Sequence, residues 1–441
     1  MVHPPRRPTT HSLTRRLSRQ VGARAMTILR SCAELARQRG GCAYLVGGTV
    51  RDLLLGRGGG DLDVVIEGDA LSLVRELARG SGGGVRTHAA FQTATLTLDE
   101  HLSIDFATAR RERYRAPAAL PEVEPGRLDE DLSRRDFTIN AMALPLDEPG
   151  APLVDPCDGA ADVRRRRIHV LHQRSFIDDP TRGFRAARLA ARLGFVITPT
   201  TRKWLDEARR DRVFQRLSGA RVRRELELGF GEPSFPRGIR LLADLGLLRE
   251  VDAELRLTDA TRPALDRLGR SIVWYRELAR DEPWQPWLAV LGLLMRAQSR
   301  AGRRRLLDRL VLTRAERKTL LATSDGVRGI LASLSRVTRS RASRLQTICG
   351  LHSVETVLIA TAAGNSPRLR SSLRRYLERI RGVRSDIGGA DLLDAGMRPG
   401  PAIAAALAAG LAAKLDRPGL SRDGQLAAAL RAARRLTSIG G

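Results

Sequence analysis

"GRGGGDLDVVIEGDA", residues 56–70, decides how the rest of the chain is read. Leu62, Val64 and Val65 give the stretch strand character, and side chains two apart on a strand project from one face. Asp61 and Asp63 are then neighbours. Two carboxylates that close repel each other unless a positive charge lies between them. A hard cation such as Mg²⁺ meets that need, because it takes carboxylate oxygens together with substrate phosphates. The alternative for a bare D-x-D is the solvated face of an edge strand, so the neighbouring sequence has to arbitrate.

Upstream, "YLVGGTVRDLLLGR" (44–57) reads as a strand running into Gly47-Gly48 and then a helix. Glycines there let backbone N–H groups approach a phosphate, and the helix N-terminus adds a favourable dipole. Arg51, one turn in, is placed to grip a phosphate; an ordinary tight turn is the competing reading. Downstream, "SIDFATARRERY" sets Asp105 between Ile104 and Phe106. Beside D-x-D it would be a third carboxylate, completing a site that activates a ribose hydroxyl and stabilises a pyrophosphate leaving group. Read alone, it is equally an exposed strand residue, and Arg110, Arg111 and Arg113 behind it read as a solvated face.

"RRDFTINAMAL" (134–144) places Asp136 and Asn140 four apart, on one face if a helix begins there. Together they would hold a ribose 2′-OH, with Arg134 and Arg135 on phosphates; a helix cap also explains Asp136. "FIDDPTRGFRAARLAARLGF" (176–195) predicts a helix with Asp179 at the N-cap, Pro180 at N1 and Gly194 as the stop. Asp179 and Arg182 on its first turn offer an acceptor and donors side by side, a combination that can imitate the pairing edge of a base. Taken alone, capping is the stronger explanation of Asp-Pro.

The chain has 441 residues, 42% of them hydrophobic, which is enough for several domains and a buried core. No apolar run reaches the length of a membrane helix. The start, "MVHPPRRPTTHSLTRRLSRQ", has no apolar segment of a secretory signal; it reads as a disordered basic arm over residues 1–22. Cys32, Cys42, Cys157 and Cys349 are scattered, which argues against zinc or a disulfide framework and suits a reducing, cytoplasmic setting. The net charge of +27 favours polyanions, nucleic acid before membrane. Of 76 basic residues only Lys203, Lys318 and Lys414 are lysines, so part of that charge reflects an arginine bias. With 4% aromatics, extensive base stacking is not expected.

Short strands ("AYLV", "LDVVI", "TATLTL", "SIDFA", "NAMALPL") interleave with helical stretches over 25–40 and 69–79, and beyond about residue 176 nearly everything has a 3.6-residue period. The expected fold class is α+β: a small N-terminal head with a mixed β-sheet, then an all-α neck, body and tail. The expected divisions are an arm (1–22), the α+β head (23–147), a neck (148–215), a helical body (216–320) and a helical tail (321–441). There is no clean internal repeat.

The order of these stretches resembles the class II tRNA nucleotidyltransferase and bacterial poly(A) polymerase family. "GGTVRDLLLG…DLDVV" is similar to its first motif, "RRDFTINAMA" to its ribose-selecting motif, "DPCDGAADVRRRRIH" (155–169) to its hinge and "DDPTR" to its Glu-Asp-x-x-Arg recognition motif. "YRAPAALPEVEPGRLDEDLSRRDFT" resembles its flexible loop, and "GGADLLDAGMRPGPAI" the tRNA-gripping tail of some members. The resemblance implies a nucleotidyltransferase head in which catalytic Asp61 and Asp63 hold Mg²⁺, a nucleotide-recognition helix in the neck, an RNA-binding body and a tRNA-binding tail; Asp105, from its strand position, is the third catalytic candidate. The resemblance also implies a nucleotide site of Gly47, Gly48, Arg51, Arg135, Asp136, Asn140, Asp178, Asp179, Arg182 and Arg185, with Asp179 and Arg182 pairing with the base.

The implied reaction moves CMP or AMP from CTP or ATP to the 3′ end of tRNA, held by acceptor arm and elbow, to build CCA or part of it. Poly(A) synthesis is the alternative product, and a non-catalytic RNA-binding protein the alternative class. No membrane and no stable protein partner are expected. Two departures stand out: Asp178 replaces the usual Glu, and the hinge ends Ile168-His169 where Arg is common. The phosphohydrolase domain of some relatives is not found, so no such activity is expected.

Overall fold

The computed structural model describes residues 10–58, 61–100, 102–148, 150–335 and 341–437. The chain divides into two compact units, Met1–Arg221 and Val222–Gly441.

The first unit opens with helix α1 (Thr10–Gln38), broken in its course by Gly22 at φ 76°. This corrects the expectation of a disordered arm for residues 10–22; residues 1–9 lie outside the described residues. Leu13 and Leu17, four apart, are each 1% exposed, so this stretch has a buried apolar stripe despite its arginines. Arg16 Nη1 donates to Leu53 O (3.1 Å) and Gln20 Nε2 to Arg57 O (2.9 Å), which ties α1 to the helix that follows the first strand.

The head then runs β1 (Cys42–Val46), α2 (Gly48–Leu55), β2 (Leu62–Glu67), α3 (Ala70–Ser81), β3 (Gly84–His88), β4 (Thr93–Thr97), β5 (Ser103–Thr108), a hairpin of β6 (Arg110–Arg113) and β7 (Glu122–Pro125), α4 (Leu128–Ser133) and β8 (Ala143–Pro145). The main sheet has the order β3-β4-β5-β2-β1-β8. β2 and β5 run parallel and the remaining pairs antiparallel, so the sheet is mixed as expected. Leu45, Val64, Leu96, Ile104 and Phe106 form buried layers on it. The stretch expected to resemble a flexible loop is partly regular: it contains β7 and α4, because Glu122–Pro125 pairs with Arg110–Arg113.

The expected break at 147/148 does not separate compact units. Phe137 bridges Val170, Ala143 bridges Val154, and Thr138 N–H donates to His169 O at 2.9 Å. These bonds sew the next helices, α5 (Gly159–Arg165), α6 (Ser175–Asp178) and α7 (Thr181–Leu193), onto the head. α7 starts one residue later than expected: Pro180 is its N-cap, and Gly194 at φ 79° ends it as expected.

In the second unit every described element is a helix. Pro286–Met295 is apolar all round, and both it and Val354–Ala363, which also buries Glu355, Thr356 and Thr361, are buried along almost their whole length, as core helices are. The helix Arg314–Ser335 runs across the expected 320/321 division, while the end of the chain has its own small core of Ile387, Leu392, Ala406, Ala429 and Ala433. No described helix is long and apolar enough to cross a membrane.

Candidate active site

A cleft of about 700 Å³ in the first unit is lined by residues from both the sheet and the helices after it. Gly47, Gly48, Asp63, Asp105, Arg135, Asp136, Asn140, Asp179, Arg182 and Arg185 all reach it. These are far apart in sequence, and the fold gathers them. Asp61, Arg51 and Asp178 are not in its lining.

β2 begins at Leu62, so Asp61 precedes the strand instead of sharing its face, because the pairing with β5 starts only at Leu62–Ile104. Asp61 is exposed and its carbonyl accepts from Thr49 Oγ1 at 2.6 Å. The carboxylate that stands beside Asp63 is Asp105, its register partner across the parallel pair. Thr95, opposite Asp105 on β4, donates to Asp105 Oδ1 at 2.6 Å. Burial pushes the Asp63 carboxyl up to about 6; Arg135 and Arg51 work against that, and Asp105 and Asp61 add to it.

Among the described residues no three His, Cys, Asp or Glu side chains close into a metal cage. The donors are nonetheless hard oxygens, crowded and short of positive partners. That fits a cation such as Mg²⁺, which usually keeps waters and takes phosphates to finish its shell.

At the start of α2, Gly47 has φ 71°, and a Cβ there would come within 2.9 Å of Arg135 Nη1 and 3.7 Å of Asp63 Oδ2. A side chain would therefore fill the space where backbone, guanidinium and carboxylate meet. Arg135 is held by Asp131, whose Oδ2 accepts from its Nε (3.2 Å) and Nη2 (2.8 Å). Arg51 is 3% exposed and lies outside the cleft lining. It pairs with Asp52 through Nε (3.0 Å) and Nη2 (2.9 Å) and donates from Nη1 to Asn140 Oδ1 (2.6 Å). It buttresses Asn140.

Asp136 and Asn140 do meet, through a short 3₁₀ turn (Thr138–Asn140) instead of an α-helix. Asn140 Nδ2 donates to Asp136 Oδ1 at 2.9 Å, as does Phe137 N–H, and Arg185 Nη2 forms an ion pair with Asp136 Oδ2 at 2.7 Å. Burial pushes the Asp136 carboxyl up, but Arg185, Asn140, Arg182 and the Phe137 N–H together hold it below the usual carboxylate range.

Asp179 Oδ1 accepts from Thr181 N–H (3.0 Å), Thr181 Oγ1 (2.6 Å) and Arg221 Nη2 (2.6 Å). Arg182, 5% exposed, donates from Nη2 to Arg134 O (2.6 Å) and from Nη1 to Ser175 O (3.5 Å). Asp178 pairs with Arg174 at 3.4 Å, so backbone carbonyls, not its carboxylate, orient Arg182.

Several cleft residues escaped the sequence reading. Glu112 binds Arg110 Nη2 (3.0 Å), Arg134 Nη1 (2.7 Å) and Tyr114 Oη (2.8 Å). Its alternation with Arg110 on β6 was a usable signal. Behind the cleft, outside its lining, the fully buried Asp131 binds both Arg134 and Arg135, and the i+3 and i+4 spacing announces it. Nothing local singles out Thr95 or Arg221.

Residues 43–169 match the model of the poly A polymerase head domain. Over 97% of its length the chain is 33% identical to an A-adding tRNA nucleotidyltransferase of Geobacter sulfurreducens, spanning about half (49%) of that protein. It is 32% identical to an A-adding tRNA nucleotidyltransferase of Halalkalibacterium halodurans, over 85% of each. It also resembles the Thermotoga maritima CCA-adding enzyme solved in complex with tRNA, at 29% identity and a TM-score of 0.75, covering 95% of this chain and 98% of that one. By sequence and fold together, the chain belongs to the class II tRNA nucleotidyltransferase family of CCA-adding enzymes.

Proposed function

We propose that the chain adds nucleotides to the 3′ end of tRNA, building all or part of CCA from CTP and ATP. The observation that carries this is the convergence in one cleft of the Asp63–Asp105 pair, the Gly47–Gly48 turn, the Asp136–Asn140 pair and the Asp179–Arg182 pair. In this reading the triphosphate lies along Gly47, Gly48 and Arg135, where backbone N–H groups and a fixed guanidinium meet phosphate oxygens. Asp136 and Asn140 hold the ribose hydroxyls. Asp179 accepts from the exocyclic amino group of cytosine or adenine while Arg182 donates to the adjacent ring nitrogen. Uracil and guanine carry a carbonyl at that edge, which the carboxylate repels.

Asp63, with Asp61, is the proposed seat of Mg²⁺, and Asp105 adds charge beside it. When bound there, the ion supplies a lowered pKa for the attacking 3′-hydroxyl and offsets charge on the departing pyrophosphate. The arginine-rich helices hold the tRNA by its backbone and A-form shape. A narrower reading, addition of the terminal A alone, is favoured by the names of the Geobacter and Halalkalibacterium relatives.

The test is a gel assay with tRNA ending before CCA, after C and after CC, given CTP, ATP or both. Extension to CCA and then arrest supports the full activity. Extension only of the CC-ending substrate, by one A, supports the narrower reading. Long ATP-only ladders on any RNA point to poly(A) synthesis, and no extension by wild type overturns the proposal. Activity that persists in EDTA or in Asp63→Ala refutes the metal assignment.

A further inference from the structure

The connection between β6 and β7 is fastened at Ala118. This residue sits at φ 62°, a left-handed conformation that disfavours side chains, and both of its backbone groups are engaged. Its N–H donates to Ile177 O at 3.0 Å, and its carbonyl accepts from Arg221 Nη1 at 2.8 Å. The other nitrogen of the same guanidinium, Nη2, donates to Asp179 Oδ1 at 2.6 Å. One planar fork thus spans the connection and the carboxylate. Thr181 adds two more donors to the same oxygen, so three donors fix Oδ1 and Oδ2 is the acceptor left for a ligand.

We propose that Arg221 is a positioning residue for nucleotide selection: it orients Asp179 and couples that orientation to the docking of the β6–β7 connection. The inference rests on the reading that Asp179 and Arg182 pair with the base. A carboxylate with a fixed plane presents one acceptor in one direction, and this distinguishes an amino group from a carbonyl on the incoming base. Without Arg221, Asp179 keeps only its neighbour Thr181, and Ala118 loses one of the two bonds that hold it in an unfavourable conformation. Lysine cannot substitute fully, because an ammonium is a point charge that does not reach two acceptors as a fork.

The test uses the full chain and a tRNA primer with CTP, ATP, UTP and GTP supplied singly. Arg221→Ala is expected to raise KM for the preferred nucleotide about tenfold, the loss of one charge-assisted hydrogen bond. It should leave kcat within about twofold of wild type, the pattern of lost uniform binding. It should also narrow the preference over UTP. Trypsin cleavage after Arg115, an exposed residue within the connection, should accelerate in the same variant. Arg221→Lys should fall between the two. Arg224→Ala, an exposed neighbour on the same helix, should change neither readout.

Unchanged selectivity and KM in a folded Arg221→Ala overturn the inference, as does lost selectivity without faster cleavage after Arg115. If Arg221→Ala does not fold, Arg221→Gln, which keeps a donor but not the charge, carries the same test. Arg182→Ala separates the two levels. If it leaves base selection intact, the base-reading assignment itself fails; if it destroys selection while Arg221→Ala does not, only the present inference fails.

Discussion

Replacing Asp63 by asparagine isolates what an ionised carboxylate costs the folded head. Burial is the main cause of its displacement from an ordinary value of 3.8 to about 6. Each pH unit is worth about 1.36 kcal/mol, so the charged form is disfavoured by about 2–3 kcal/mol in the fold, the lower figure allowing for water at the cleft. The sign follows from proton counts. Between pH 3.8 and about 6 the folded state binds more protons here than the unfolded state, so stability is greatest below 3.8 and is lost as pH rises through about 6. Asparagine matches the shape of the protonated acid and carries no charge.

Asp63→Asn should therefore be more stable than wild type by about 2–3 kcal/mol at pH 7.5 and equal to it below pH 4, while losing nucleotide incorporation. Urea unfolding of both proteins without added metal, followed from pH 4 to 8, reads this as a midpoint difference that grows with pH at constant slope. A variant less stable than wild type at pH 7.5, or a difference independent of pH, would refute the electrostatic argument. The trade is one that functional sites make: an ionised group held ready for a cation is destabilising until the cation arrives.

Other perturbations test the remaining parts. Arg185→Ala should cost about 1.5–3 kcal/mol, because it leaves Asp136 Oδ2 buried without its ion pair, and should raise KM for the nucleotide. Since Asp136 is held below its ordinary range, the stability it contributes is present above that range and lost on acidification, and Arg185→Ala should move the acid-unfolding midpoint to higher pH. Leu17→Ala, at a position 1% exposed, should destabilise the first unit by about 2–5 kcal/mol in thermal or urea melts. A surface arm would show no change. Gly159→Ala should cost about 1–3 kcal/mol or more, because a Cβ there meets the backbone carbonyl of Thr138; a neutral result would mean that contact is not tight.

Much of this protein is dictated locally. Alternating Leu62, Val64 and Ile66 make β2, and the Gly47–Gly48 pair permits the tight turn, with Gly47 at positive φ, between β1 and α2. Gly194 stops α7, and the arrangement of motifs along the chain carries the family. Those features depend on period, backbone freedom and capping, which act over a few residues. The pairings that make the cleft depend on distance across the fold, and a linear reading cannot measure that. Asp63 faces Asp105 because β2 and β5 are parallel neighbours; Asp61, its sequence neighbour, falls outside the strand. Arg51 carries the spacing of a phosphate ligand, yet Asp52 and Asn140 take its donors. Arg221 lies 42 residues from Asp179, and only packing brings its guanidinium to that carboxylate and to Ala118 at once. The sequence determined the secondary elements and most of the candidate side chains, through short-range periodicity, backbone geometry and the order of motifs. The tertiary structure alone decided which charge stands next to which, because electrostatics and hydrogen bonding act through space.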